Sequence, residues 1–401
     1  MIDREREIDI RSTNKTFVYV GNWRAKTPDQ NGFGIFQYDE ATAGLTFLKH
    51  AISEVSVGAV YINRKTNILY CANEQTNLPG KLGGGGQILA VRLDPESGDM
   101  TEISRQPSYG VDPTCIALDP AGKYMIVGHH VGFSPVTKIS KDPYGKYHVH
   151  TEFDDTTTVL FPLREDGSIG DPCDVIKHIG HGSLRTQANP HIHSAVMSPG
   201  GELCAVCDKG SDRVYFFRID YETERLVIVN DYKSISGSSP RYNCFHPTLP
   251  YWYMNNETTM LICAFRYHEN GRLEHICTAD AAPEGCVYDP NADAEHIIMP
   301  SDFRIHPSGE YIYDLIRGIN TVSVFKVDQS TGAPEKIQSV VLGGKGLRCC
   351  DFSPDNRFLL VTAPFSSEII ISAVGNDGRL TPTGMKVSQP SPGTINFFRP
   401  M

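Results

Sequence analysis

The chain has 401 residues, 40% of them hydrophobic, with 36 glycines, 11 cysteines and a formal charge of −10. No run rich in Lys or Arg offsets that charge, which argues against a nucleic-acid binder. No apolar run approaches the ~18 residues of a membrane span, and residues 1–15 are charged throughout without the apolar stretch of a signal peptide.

The first strand pattern is 17–21, followed by a second at 35–39. From there a unit recurs: an apolar hairpin closed by a Pro/Gly turn, then a further strand that breaks at Asp or Gly. A degenerate hairpin spans 58–74 and leads to a strand at 88–94. The next hairpin, 113–130, turns at Asp119-Pro120-Ala121-Gly122 and leads to 158–161. Hairpin 193–209 turns at Ser198-Pro199-Gly200-Gly201 and leads to 214–220; hairpin 241–257 turns at His246-Pro247-Thr248 and leads to 262–266. Hairpin 301–317 turns at His306-Pro307-Ser308-Gly309 and leads to 322–328; hairpin 348–364 turns at Ser353-Pro354-Asp355 and leads to 369–372. Repetition of strand units at a period of about 40–50 residues is the signature of a β-propeller. Seven such third strands are present, but only six hairpins supply an innermost strand, and the first blade begins directly at Phe17. The missing strand is available at 394–398. The expectation is therefore all-β: a seven-bladed β-propeller over 16–401, its first blade closed by the C-terminal strand, with 1–15 as an N-terminal extension. No segment of convincing length has a helical period.

An odd number of cysteines, several inside strand patterns, reads as free thiols in a reducing compartment, so a cytoplasmic location is expected. Cys204 and Cys207 form a Cys-x-x-Cys within a strand, where residues three apart point to opposite faces and share no metal.

In each blade the innermost strand leaves one face and the next returns to it. The start of the first and the end of the second therefore meet at one rim of the channel. Aligning the turns sets Gly58 opposite Glu74, Thr114 opposite His130, His193 opposite Lys209, Arg241 opposite Glu257, Ser301 opposite Arg317 and Arg348 opposite Pro364. This rim gathers Glu74, His130, His193, Lys209, Arg241, Glu257, Arg317 and Arg348, with Asp302 one position away. The long loops, 75–87, 131–157, 177–190 and 279–298, lie on the same face, while the other has tight turns. Arg241 and Glu257 can form a local ion pair. Three arginines at one mouth nevertheless repel unless an anion joins them, which makes Arg241, Arg317 and Arg348 candidate anion ligands. His193 is placed for acid/base work. The pairs His148/His150 and His191/His193 are weaker candidates for a metal; Gly83-Gly84-Gly85-Gly86 precedes a strand and reads as a lid rather than a phosphate loop. No nucleophile elbow is present.

The run His193-Ser194-Ala195-Val196-Met197-Ser198-Pro199 with Asp212-Arg213-Val214-Tyr215, and the run from Ser239-Pro240-Arg241 through Phe245-His246-Pro247 to Asn256-Glu257, resemble the propeller lactonase family. That family includes bacterial propeller-type 6-phosphogluconolactonases and fungal 3-carboxy-cis,cis-muconate cyclases. The resemblance covers nearly the whole chain. It implies a seven-bladed propeller enzyme without cofactor, acting on a small anionic lactone or its acid; the charge and hydropathy already lead us to expect neither nucleic acid nor membrane as partner, and no metal is expected. The resemblance places His193, Arg241, Glu257 and Arg317 in the cleft as catalytic residues. Glu74, His130, Lys209, Asp302 and Arg348 are then expected to bind substrate. Two departures are Tyr242 where the family has His after Pro-Arg, and Asp302 where Glu is commoner. The implied reaction is hydrolysis of a sugar-acid lactone, with Glu257 or His193 as base and an arginine stabilising the oxyanion. A lactone-forming muconate cyclase and a non-enzymatic binding propeller are the alternatives.

Overall fold

The computed structural model describes residues 15–132 and 134–401; residues 1–14 of the expected N-terminal extension lie outside them. Seven four-stranded antiparallel sheets form the blades, and a separate two-stranded hairpin, Val136–Lys141 with Tyr147–Glu152, projects between the second and third strands of blade 3. His148 and His150, expected in a loop, lie on that exposed hairpin. The helical segments among the described residues are two three-residue 3₁₀ turns, Pro28–Gln30 and Arg185–Gln187. None is long and apolar enough to cross a membrane.

Closure joins the two ends of the propeller. Pro392–Phe398 is the innermost strand of blade 1 and pairs antiparallel with Thr16–Asn22, setting Phe17 opposite Phe398, Tyr19 opposite Asn396 and Val20 opposite Ile395. Without it the inner edge of blade 1 would present unpaired N–H and C=O groups.

The apolar runs follow from burial on both faces. Successive strand residues point to opposite sides, and each middle strand is covered by a neighbouring blade on either side. In the second strand of blade 7, Phe358–Ala363, Leu359 and Val361 pack with Tyr313, Leu315 and Val324 of blade 6. Leu360 between them packs with Val18, Val20 and Phe36 of blade 1. The outermost strands lack that second cover and turn polar, as in Leu380–Ser388. The same alternation separates Cys204, in the core between blades 3 and 4, from Cys207, in the core between blades 4 and 5. All eleven cysteines are free thiols.

Side chains hold the hairpin turns. Asp119 Oδ1 accepts from the amides of Lys123 (2.7 Å) and Tyr124 (2.6 Å), and Ser198 and Ser353 Oγ accept from the amides of Leu203 and Phe358. Gly201 and Gly309 end two of these turns with φ of 82° and 78°, where a Cβ would also strike Pro120 or His246.

One expectation about the rim needs correction. The inner strands of blades 2 to 6 each carry a bulge just inside the channel mouth: the register skips Gly58, Thr114, His193, the pair Arg241-Tyr242 and the pair Ser301-Asp302. Inside the bulges the register already runs one residue earlier than turn alignment suggests, with Ala59 opposite Ala72 and Cys115 opposite Gly128, and the bulge adds a second, so the amides of Glu74, His130, Lys209 and Glu257 bond to the carbonyls of Ser56, Asp112, His191 and Ser239. A bulge bends the strand and re-aims the extra residue. At these positions it releases His193 and Arg241 from the ladder.

Candidate functional site

The bulges and the ends of the second strands surround a cavity of about 850 Å³ at the mouth with the long loops. Eight of the nine residues singled out from sequence line it: Glu74, His130, His193, Lys209, Arg241, Glu257, Arg317 and Arg348. Asp302 does not. Lying one position past Ser301 on the bulge, its carboxylate turns along the channel instead. There it accepts from Arg304 Nε (3.0 Å), the Cys350 amide (2.9 Å) and the Phe303 amide (3.0 Å), beside a narrower space of about 300 Å³.

Glu257 is the hub of one side. Lys209 Nζ stands 2.8 and 3.1 Å from its two oxygens, and Arg241 Nε donates to Oε2 at 2.8 Å. Burial alone would push this carboxyl up, but Lys209, Arg241 and Arg317 overcome it and hold the pKa at about 2. Arg241 is 4% exposed; its Nη1 donates to the Ser301 carbonyl at 2.6 Å, and its guanidinium lies 4.9 Å from the Tyr242 ring centre. The Tyr242 amide bonds to Asn255 Oδ1, whose Nδ2 donates to Asp314. Burial pushes Asp314 up to about 8, so it stays protonated near neutrality behind the bulge.

Arg317 stands next to these groups without a counter-ion in hydrogen-bond contact. Its Nε and Nη2 have no partner among the described residues. Burial, with Arg241 and Arg348 close by, pulls its pKa down to about 9. Among the eight charged side chains lining the cavity, Arg24, Lys209, Arg241, Arg317 and Arg348 oppose Glu74, Asp112 and Glu257, leaving two positive charges unbalanced. Guanidinium groups crowded in this way favour an anion among them.

Three histidines adjoin the cations. The His130 ring stacks on His191 with centres 4.6 Å apart and meets His193 edge-on at 5.6 Å; His193 in turn meets Tyr242 at 5.1 Å. Burial, reinforced by Arg241, Lys209, His130 and Arg348, holds His193 well below 6.5, so its imidazole is neutral at pH 7. His130 is depressed likewise by burial and Lys209, and His191 falls to about 4. This sets an acid limit on stability. A group whose folded pKa is depressed carries no penalty above its unfolded value and a growing one below it, here about 1.4 kcal/mol per pH unit and histidine. Asp314, protonated in the fold but not in the unfolded chain, offsets one of the three histidines, so the melting temperature is still expected to fall as pH drops from 6.5 toward 4, before Glu257 begins to protonate. Thermal melts across that window check it; a flat profile contradicts it.

Several lining residues were not anticipated. Trp23 occupies in blade 1 the position that Glu74, His130, Lys209 and Glu257 hold in theirs, and its amide bonds to the Ser391 carbonyl at 2.9 Å in the same pattern. The seventh hairpin, assembled from both ends of the propeller, would have revealed it. The Arg348 guanidinium lies 3.7 Å from the Trp23 ring centre. Arg24, at φ 46°, reaches Glu74 (3.2 Å) and Asp112 (3.4 Å), and Arg348 approaches the other Glu74 oxygen at 3.6 Å. No group of three or more His, Cys, Asp or Glu among the described residues is arranged to hold a metal ion.

Comparison with known proteins agrees with this architecture. A family profile described as lactonase, 7-bladed beta-propeller, matches residues 17–397. A 6-phosphogluconolactonase of Bacillus subtilis is 25% identical over 374 residues, covering 91% of this chain and 94% of its own. One from Formosa agariphila is 24% identical over 360 residues, covering 88% and 91%. Among solved structures, a periplasmic gluconolactonase of Pseudomonas aeruginosa superposes with a TM-score of 0.81 at 23% identity, covering 96% of this chain and 100% of that one.

Proposed function

The chain belongs to the seven-bladed β-propeller lactonase family, and from that premise we propose that it hydrolyses a sugar-acid lactone bearing an anionic substituent, of the 6-phosphogluconolactone type. The observation that carries this reading is Arg317: a guanidinium with two buried, unpartnered nitrogens, beside Arg241 and Arg348, in a cavity with a surplus of two positive charges.

Of the two candidate bases, His193 suits the task. Glu257 is pinned between Lys209 and Arg241 and held at about 2, too weak a base to draw a proton from water. Its part is to orient Arg241. Neutral His193 accepts a proton from water as the oxygen attacks the lactone carbonyl, the oxyanion that forms is stabilised by Arg241, and Arg317 receives the anionic substituent. Collapse of the tetrahedral intermediate breaks the bond to the ring oxygen. The imidazolium returns its proton to that oxygen, leaving the open hydroxy acid. No step calls for a metal or coenzyme, so a chelator is expected to leave turnover intact. The free thiols support a reducing, cytoplasmic location.

Acid release from phosphorylated, unphosphorylated and carboxylated lactones tests the reading. The phosphorylated sugar lactone is expected to be preferred, and Arg317→Ala to erase most of that preference by raising KM. Inertness toward every lactone, with ring closure of an unsaturated polycarboxylic acid instead, would replace hydrolysis by cyclisation.

A further inference from the structure

The charges of the cavity are sorted by blade. Lys209, Arg241, Glu257 and Arg317 belong to blades 4, 5 and 6, an arc with three cations and one carboxylate. Trp23, Arg24, Glu74, Asp112 and Arg348 belong to blades 1, 2, 3 and 7, the opposite arc, where two cations meet two carboxylates and the charge cancels. His130 and His193, from blades 3 and 4, stand where the arcs join.

The buried polar atoms of the cavity that lack a hydrogen-bond partner among the described residues divide in the same way, with His193 Nδ1 at the join. On the cationic arc they are the donors Arg317 Nε and Nη2; on the neutral arc they are the donor Trp23 Nε1 and the acceptors Glu74 Oε2 and Asp112 Oδ1. Glu74 and Asp112 are each 6% exposed, so water offers them little compensation. Donors alone call for an anion. Donors and acceptors together, at zero net charge, call for groups that both accept and donate, and a hydroxyl is the simplest of these.

We propose that the cavity has two subsites, and that Trp23, Glu74 and Asp112 select substrate by binding the hydroxyl edge of a sugar ring while the cationic arc receives its oxyanion and anionic arm. The assignment rests on the lactonase reading and extends it to the shape of the substrate. In a six-membered aldonolactone the ring oxygen is flanked by the carbonyl carbon and by the carbon bearing the phosphomethyl arm. The hydroxyls occupy the three carbons across the ring. One edge thus develops or carries negative charge and the other is neutral and polyhydroxylated, matching the two arcs, with the carbonyl beside His193. A planar polycarboxylate satisfies the cationic arc and leaves the acceptors of the neutral arc unpaired.

The test compares the phosphorylated sugar lactone with the lactone that keeps ring and phosphomethyl arm but lacks the hydroxyls. Glu74→Gln and Asp112→Asn are each expected to raise KM for the first by about tenfold or more, the scale of one lost charge-assisted hydrogen bond, and Trp23→Phe by about threefold, the scale of a neutral one, while the second changes far less. Equal turnover of both lactones by the unmodified protein, or equal damage to both by the variants, overturns the assignment while leaving the lactonase reading in place. A second arm needs no turnover. Trp252 is fully buried and the only other tryptophan, so a change in indole emission on adding 1,5-anhydroglucitol 6-phosphate, abolished in Trp23→Phe, reports the hydroxyl subsite. That signal without hydrolysis of any lactone keeps the subsite and removes the lactonase; absence of the signal removes the subsite.

Discussion

Replacing Arg241 by alanine is expected to lower kcat by about 10²–10³, the loss typical of one oxyanion donor, and to destabilise the fold as well. Both effects follow from the same contacts. Arg241 emerges from a bulge, and its Nε grips Glu257 while its Nη1 is fixed on the Ser301 carbonyl, so the guanidinium is held in place before substrate arrives. Truncation leaves a buried carboxylate with Lys209 alone, and breaking a buried pair from one side costs about 3–5 kcal/mol. Removing the cluster as a unit separates the effects. With Glu257→Gln and Lys209→Met added to Arg241→Ala, neither the carboxylate nor the ammonium that pairs with it is left alone, so the melting temperature is expected to recover much of its loss while turnover stays low. Recovery of turnover along with stability would mean that Arg241 serves the fold only, and a fully active Arg241→Ala would remove it from the mechanism.

How much of this was legible in the sequence depends on which residues carry a local mark. Turns such as Asp119-Pro120-Ala121-Gly122 announce themselves because Asp and Gly do specific work there, and the apolar runs between them reflect strands covered on both sides. Blade number and closure follow from counting those runs. The bulges leave no such mark: His193, Thr114 and Arg241 are different residue types at equivalent places, and what releases them from the ladder is backbone geometry. Turn alignment therefore found the right rim with a register two residues out. Asp302 shows the consequence. A single step along a bulged strand took it from the expected mouth to a contact with Arg304 inside the channel. Arg24 was hidden differently, since it belongs to a loop whose backbone turns through a positive φ to reach Glu74 and Asp112.

Replacement of His193 by alanine is expected to cost about 10²–10⁴ in rate, the range for a lost general base, and to remove the acid limb of the pH profile. The position of that limb carries the stronger test. In the free protein, burial and the neighbouring Arg241, Lys209 and Arg348 keep His193 neutral until well below pH 6.5. An anionic substrate seated among those cations offsets their repulsion of the imidazolium, and opposite charge nearby favours the protonated form. The limb in kcat, which reports the complex, should therefore lie at higher pH than the limb in kcat/KM, which reports the free protein. An unphosphorylated lactone brings less charge and should separate the two limbs less. Glu257 as base predicts otherwise: with a pKa held at about 2, its limb would fall at the extreme acid end, and His193→Ala would leave the profile unchanged in shape. Coincident limbs for both lactones, or a limb that survives in His193→Ala, would assign the proton to another group and leave His193 as packing for His130 and Tyr242.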